Sequence, residues 1–199
     1  MILHLRQNNE LMEITNKIFE SSDLAIASLL SDEFDTCTFR NCDFSEIDFS
    51  GKSFTDCTFV GCNLSMSKLQ KTAFREVKFM ECKMIGLYFD ECNTFGLKFD
   101  FHDCILDNCI FTGLKLKGTV FENCRIINTD FTSCDLENSS FAGTNLADTL
   151  FENTNLTNCD LRNVSELSLD PEKNKLKKAK INIESLPGLL QKYGLKIEF

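Results

Sequence analysis

The sequence has no tryptophan, two prolines and two tyrosines, yet it contains 19 phenylalanines among its 199 residues. A skew of this kind usually marks internal repetition. The first residues, 1–9, are not apolar for long enough to form a signal peptide or a membrane span. With 43% apolar residues, the chain is expected to be a globular cytoplasmic protein with a substantial core and no membrane contact.

The eleven cysteines include no Cys-x-x-Cys pair, the short spacing that is common in zinc sites. We therefore expect no metal and no cofactor, and free thiols that serve as small core residues. The chain has two histidines, and no serine or cysteine nucleophile with a supporting base can be recognised in it. The sequence therefore favours a protein without enzymatic activity.

A phenylalanine falls on every fifth residue in "FDTCTFRNCDFSEIDFSGKSFTDCTF", from Phe34 to Phe59. Phenylalanine, leucine and similar residues continue this spacing from Phe19 to Leu161, with one failure at Thr94 and a shift of two residues near Phe99–Phe101. Seventeen of the 19 phenylalanines occupy this position, which we call position i. All eleven cysteines lie two residues earlier, at position i−2, so the register is independently supported.

Because five is odd, a straight strand would point successive i residues to opposite faces, so the chain must turn once per repeat. This predicts an all-β solenoid. Units such as "CTFRNCDFSE", "TNLAD" and "CDLRN" resemble the pentapeptide-repeat protein family. The resemblance implies a right-handed quadrilateral β-helix with four repeats per coil, whose interior is filled by positions i and i−2. It covers about residues 19–164, and Leu176 and Ile181 return to phase.

Three segments follow from this register. Residues 1–18 are an N-terminal cap segment, irregular or helical; residues 19–183 are the β-helix, with a phase slip near 93–103 and an irregular stretch at 164–175; residues 184–199 are a helix and tail. Ser185 as N-cap, Pro187 in the first turn and Gly194 beyond the end predict a short helix at about 186–193. The slip is either a tolerated bulge or a place where a specific contact is built. Its candidate loop residues are Thr94, Phe95 and Gly96.

The C-terminal tail carries more apolar surface than two helical turns should leave in water. It can fold back on its own last coil, or it can join two copies in a twofold homodimer. The tail resembles that of the quinolone-resistance (Qnr-type) members of the family, and that resemblance implies a dimer contact through the C-terminal helix. The candidate dimer interface residues are Leu186, Leu189, Leu190, Tyr193, Leu195, Ile197 and Phe199.

The Qnr-type resemblance also implies a function: an acidic rod, shaped like duplex DNA, that binds DNA gyrase or topoisomerase IV and modulates quinolone sensitivity. Residues 1–60 carry eleven acidic and four basic residues, and residues 119–164 carry seven and two, whereas the middle is nearly neutral. The candidate acidic partner-binding surface is Asp35, Asp43, Glu46, Asp48, Asp56, Glu122, Asp130, Asp135 and Glu137.

The charge density of such a rod can be compared with that of DNA. About seven coils at ~4.8 Å give a rod of roughly 34 Å, and B-DNA of that length carries ~20 charges, whereas residues 1–164 carry a net charge of −11. Direct binding of nucleic acid is disfavoured by the overall charge of −9. The alternative function is a generic cytoplasmic scaffold, or a self-protection protein with an unrelated partner.

Overall fold

Short parallel strands form most of the regular structure. The structure is a computed structural model that describes residues 13–21 and 31–196. In this part of the chain no strand exceeds four residues, because each strand belongs to a single five-residue repeat. In chain order the strands are β1 (Glu13–Thr15), β2 (Ile18–Glu20), β3 (Glu33–Asp35), β4 (Thr38–Arg40), β5 (Ser53–Thr55), β6 (Thr58–Val60), β7 (Ala73–Arg75), β8 (Val77–Met80), β9 (Phe99–His102), β10 (Phe121–Glu122), β11 (Asp160–Leu161) and β12 (Lys180–Ile181).

Each strand pairs in parallel with a strand one turn before or after it along the chain. Phe19 of β2 lies beside Phe39 of β4, and Phe39 lies beside Phe59 of β6, a step of 20 residues each time. Twenty residues are four repeats, so each turn of the coil has four sides. The chain is a parallel β-solenoid of about eight turns followed by one short helix, which confirms the predicted fold class.

The four faces of the solenoid can be numbered in chain order. The first face carries β1, β3, β5 and β7, and the second carries β2, β4, β6, β8, β9 and β10. Isolated bridges such as Asp43 to Asn63 form the third face, and bridges such as Ile110 to Asp130 form the fourth. The place of a repeat within its turn therefore determines its face, and the position of a residue within the repeat determines whether its side chain points inward or outward.

The corners lie at position i+2, where the backbone φ angle is positive. It is 51° at Asn41, 76° at Gly51 and 57° at Asn108. Glycine and asparagine tolerate this left-handed conformation better than other residues, and they recur at the corners. At Gly61 space is restricted as well, because a Cβ atom would lie 2.6 Å from Oδ1 of Asn41 in the preceding turn. These corners keep every position i inside although the repeat is odd.

Stacked phenylalanine rings fill the interior. Phe121 lies between Phe101 and Phe141, at ring-centroid distances of 5.2 and 4.7 Å, with nearly parallel planes. Phe111 and Phe131 meet the same ring edge-on, at 6.0 and 5.5 Å. Such stacked and edge-to-face pairs add to the stabilisation that burial of the rings already provides. Among the described residues the core is one continuous cluster of buried side chains.

Position i−2 is both small and polar for a structural reason. Its side chain donates a hydrogen bond to the backbone carbonyl of the position i residue 23 residues earlier, in the turn before. Thr72 donates to the Phe49 carbonyl at 2.7 Å, and the Cys62 thiol lies 3.4 Å from the Phe39 carbonyl oxygen. A buried hydroxyl or thiol without such an acceptor would be unfavourable. Cysteine, serine and threonine share this position because each is small and carries a donor.

At the phase slip, one turn of the solenoid contains 22 residues instead of 20. Phe79 pairs with Phe101 instead of residue 99, and Val77 pairs with Phe99. Phe99 therefore lies at position i−2, although the spacing alone made it a position i residue. The large ring fits there because the preceding first-face repeat is irregular, and Leu97 packs against the core where Thr94 does not.

A short helix closes the C-terminal end. It consists of α1 (Leu186–Leu190), preceded by a 3-10 turn at Ile183–Ser185 and followed by another at Gln191–Tyr193. Pro187 lies in the first turn, and Gly194 adopts the left-handed conformation beyond the end, as predicted. Ser185 is the N-cap residue, as predicted, but its side chain makes no cap hydrogen bond. The Leu186 amide donates to the Ile183 carbonyl of the preceding 3-10 turn.

Candidate functional site

The buried thiols are poor candidates for chemistry. All eleven cysteines are free and buried. Burial raises the pKa of Cys109, of Cys134 and of Cys159 to about 12 each, so these thiols stay protonated at neutral pH. Cys37 differs, because a hydrogen bond from the Cys57 thiol lowers the pKa of Cys37 to about 7, yet it is only 1% exposed. Within residues 13–21 and 31–196, no cluster of side chains is suited to hold a metal ion.

The nine candidate carboxylates are distributed over all four faces of the rod, in two groups. The N-terminal acidic group consists of Asp35, Asp43, Glu46, Asp48 and Asp56, and the C-terminal acidic group consists of Glu122, Asp130, Asp135 and Glu137. Each group places carboxylates on three of the four faces within little more than one turn. Asp48 and Asp130 lie on the same fourth face, four turns apart, which is about 19 Å at the usual strand spacing.

Several of these carboxylates have a structural role that the sequence did not reveal. At position i−1, an aspartate accepts a hydrogen bond from the amide two residues later and so braces the repeat, as in an Asx turn. Asp43 accepts from the Ser45 amide at 3.0 Å, and Asp130 accepts from the Thr132 amide at 2.7 Å. The hydrogen bonds from Ser45 lower the pKa of Asp43, which therefore remains charged at neutral pH.

Asparagine serves the same structural purpose. Asn63, one turn after Asp43, accepts from the Ser65 amide at 3.2 Å. An aspartate-to-asparagine change at position i−1 should therefore remove the charge and keep the fold.

Lys117 partly neutralises the C-terminal acidic group. The Lys117 ammonium lies 2.6 Å from Glu137 and 3.2 Å from Asp135. Although burial raises the pKa of Asp135, the hydrogen bond from Lys117 lowers it overall. Glu122 lies 3.1 Å from His102. The N-terminal acidic group is less paired, and so it is the stronger candidate for binding a cationic partner surface.

The irregular loop presents a single large aromatic ring to solvent. Phe95 is 80% exposed, the highest value among the exposed large apolar residues of the described chain. The Phe95 amide donates to Asn93 at 3.0 Å, and the Leu97 amide contacts the Thr94 carbonyl at 3.4 Å, so the loop is a defined turn. Gly96 has a φ angle of 70° and enables that turn. An exposed ring on an ordered loop is typical of an interface anchor.

The C-terminal helix contacts the last turns of its own rod. Leu189 packs against the core, and the Lys192 ammonium lies 2.6 Å from Asp170 and 2.7 Å from Glu172. The Tyr193 hydroxyl donates to Glu172 at 2.9 Å. These contacts are those expected if the tail folds back on its own last coil.

An apolar surface nonetheless remains on the outside of the C-terminal segment. Leu186, Tyr193 and Leu195 are exposed, and so is Ile183, whereas Leu190 is half-buried. Ile197 and Phe199 lie outside the described residues, as do most of the N-terminal segment 1–18. No helix in the described part of the chain is long and apolar enough to cross a membrane.

Comparisons with known proteins agree with this architecture. The family model for the pentapeptide repeat region matches residues 32–100 and 89–161. A trypsin-treated variant of QnrB1, a plasmid-mediated fluoroquinolone resistance protein, superposes with a TM-score of 0.61 at 18% identity, over 96% of this chain and 100% of that one. A second trypsin-treated variant gives 0.61 at 19% identity, over 94% and 97%.

A cyanobacterial protein is also similar in outline. HetL from Nostoc sp., a pentapeptide repeat protein involved in the regulation of heterocyst differentiation, matches 85% of this chain and 82% of its own at 13% identity, with a TM-score of 0.48. Curated protein sequences gave no match. The superposition on QnrB1 shows a shared fold. Because the family model covers most of the chain, this protein belongs to the pentapeptide repeat family.

Proposed function

We propose that this protein is a non-enzymatic interaction rod that binds a type II topoisomerase, DNA gyrase or topoisomerase IV, in the place of DNA and thereby modulates quinolone sensitivity. The observation that carries the proposal is the acidic surface of a filled, straight-sided rod: the core is packed with phenylalanine, so the outward carboxylates are what the molecule offers to a partner. The proposal places the protein in the cytoplasm, where these enzymes act.

The arrangement of the carboxylates supports this proposal. A DNA-binding cleft is positively charged because it contacts the phosphates of the duplex. The N-terminal acidic group places carboxylates on three faces of its turn of the rod, and the C-terminal acidic group does the same about 19 Å away along the axis. The likeness to QnrB1, whose description is that of a fluoroquinolone resistance protein, also favours it. The exposed ring of Phe95, between the two groups, is suited to anchor the contact.

Purified protein at micromolar concentration should raise severalfold the quinolone concentration that half-inhibits DNA supercoiling by gyrase. The variant with Asp43→Asn, Glu46→Gln and Asp48→Asn should lose most of this effect, because it removes three charges from one turn while asparagine keeps the hydrogen bonds of position i−1. The measurement is a gel-based supercoiling assay over a quinolone titration.

A mid-rod control separates a local effect from one of total charge. It carries Glu81→Gln, Glu91→Gln and Asp103→Asn, three exposed acids that belong to neither acidic group, and it should protect gyrase like the wild type. If wild-type protein leaves the quinolone response unchanged and captures neither subunit of gyrase or topoisomerase IV, the proposal is wrong.

A second candidate function is a scaffold or self-protection protein with an unrelated partner. The pairing of the C-terminal acidic group with Lys117 and His102 favours it, because paired carboxylates are less available to a cationic cleft. In that case all acidic variants would behave like the wild type in the gyrase assay, whereas Phe95→Ser would weaken binding of the actual partner.

We also propose that two copies associate through the outer surface of the C-terminal segment. The variant Leu186→Asp with Leu195→Asp should be monomeric where the wild type is dimeric, because it places charges on the exposed apolar surface and leaves the contacts of Leu189 and Lys192 intact. Size-exclusion chromatography with light scattering measures this. Met66→Asp with Met80→Asp, exposed residues elsewhere on the rod, is the matched control; a monomeric wild type at high concentration would contradict the proposal.

A further inference from the structure

A groove opens on the fourth face near the C-terminal end, between the last two turns of the rod and α1. Its volume is about 940 Å³, which is large enough for several residues of an extended peptide. The residues that line it include Asp148, Leu150, Phe151, Glu166, Glu184 and Pro187.

At the groove, hydrogen bonding between the two turns is interrupted between Leu146, whose amide donates to Ser165, and Asn153, whose amide donates to Lys173. One turn earlier, the Phe131 amide donates to the Leu150 carbonyl at 2.9 Å. The equivalent bond from Phe151 to the Asp170 carbonyl is not formed; instead, that carbonyl accepts from the Asn174 side chain at 2.9 Å. Within the described chain the Phe151 amide donates to no acceptor, although it lies at the groove.

A second bond between turns is missing beside it. The Asn128 amide donates to the Ala147 carbonyl at 3.0 Å, but the Asp148 amide has no such bond to Leu167. The Leu167 carbonyl faces α1 instead, where Gly188 lies directly against it. Two backbone amides, three residues apart, thus have no acceptor within the described chain, and both belong to residues that line the groove. Unpaired backbone donors of this kind are sites where an extended chain can add as a further strand.

The charge of the groove defines what kind of chain fits. Asp148, Glu166 and Glu184 have no ion pair or side-chain hydrogen bond with any described residue, and all three are exposed. Lys173, the basic residue that lines the groove, is already paired with Glu152 at 2.7 Å. The groove therefore complements lysine or arginine side chains.

An apolar patch lies between these charges. Leu150 is 47% exposed and projects from the fourth face, and Pro187 of α1 also lines the groove. This patch suits the aliphatic side chains that alternate with basic ones along an extended strand.

From these observations we propose that the groove binds an extended basic segment of a partner protein, in which lysine or arginine alternates with aliphatic residues. The segment would accept hydrogen bonds from the Phe151 and Asp148 amides, place its aliphatic side chains on Leu150 and Pro187, and direct its basic side chains to the three free carboxylates. This site goes beyond the proposed function, which uses the two acidic groups elsewhere on the rod.

The test is fluorescence anisotropy with the full chain and a fluorescein-labelled octapeptide of alternating lysine and valine. We expect saturable binding at low salt that falls about tenfold in the groove variant Asp148→Asn, Glu166→Gln, Glu184→Gln. A peptide with serine in place of each valine has the same charge but lacks the aliphatic side chains that would pack on Leu150 and Pro187, and it should bind about tenfold more weakly.

The mid-rod control variant distinguishes an effect of the groove residues from an effect of the total charge. It loses three exposed acids, two of them at corners with positive φ angles like those of Asp148 and Glu166, and should bind the lysine–valine peptide like the wild type. The proposal is overturned if this control loses as much affinity as the groove variant, if both peptides bind equally, or if neither binds. It is also overturned if the groove variant converts a dimer to a monomer, because the occupant would then be a second copy.

Discussion

Replacing Phe121 by alanine should lower the free energy of unfolding by about 3–5 kcal/mol. The ring is completely buried and packs against four other rings, two stacked above and below and two edge-on. Neighbouring turns cannot collapse into the cavity, because their spacing is set by backbone hydrogen bonds on both sides. Urea unfolding followed by far-UV circular dichroism measures the change.

Leucine at the same position is the informative comparison. Leu116, Leu136 and Leu161 occupy position i elsewhere in the rod and are buried as fully. Phe121→Leu should therefore cost less than about 1.5 kcal/mol. If the alanine variant lost no more stability than the leucine variant, the phenylalanine column would not be the main source of stability in this part of the rod.

Replacing Gly188 by alanine should detach α1 from the last turn. A Cβ atom at this position would lie 1.6 Å from the Leu167 carbonyl oxygen and 2.7 Å from its carbon. Both are backbone atoms that cannot rotate away, so the helix must lift off, at a cost of about 3 kcal/mol or more. Amide hydrogen exchange in residues 183–193 should then become about a hundredfold faster, while the middle of the rod stays protected.

Gly194→Ala is the matched control, since no atom lies within 4 Å of the added methyl group there. Its positive φ angle of 61° costs about 1 kcal/mol of strain, so exchange should rise by less than about tenfold. Wild-type exchange in Gly188→Ala would mean that the helix does not rest on the Leu167 backbone. The same variant should also abolish peptide binding to the groove, of which α1 forms one wall.

Much of the fold could be predicted from the sequence, because the repeat is regular in its residue types as well as in its spacing. The five-residue period of Phe34–Phe59 and the shared position of all eleven cysteines predict a chain that turns once per repeat, and the 20-residue register confirms it. The predicted helix near the end was also correct in its place and in the role of Gly194. These features depend on local sequence, which a single chain displays.

The pairing between turns and the hydrogen bonds of individual side chains could not be predicted from the sequence. Spacing assigned Phe99 to position i, whereas pairing with Val77 places it at i−2. The sequence indicated Asp43 and Asp130 only as candidate partner-binding carboxylates, but each also braces its own repeat. The signal that could have revealed this role is the exchange of aspartate and asparagine at position i−1, as at Asp43 and Asn63.

The sequence by itself determined the architecture: the period, the inward positions, the corners and the helix all follow from residue types at fixed spacing. Only the tertiary structure decided where the surface is open. The backbone contact between Gly188 and Leu167 and the ion pairs of Lys117 with Asp135 and Glu137 join residues of adjacent turns, about 20 positions apart. The absence of bonds from the Phe151 and Asp148 amides likewise depends on how the next turn is placed. Such contacts exist only after the coil has closed and stacked, and the surfaces proposed here for binding are made of them.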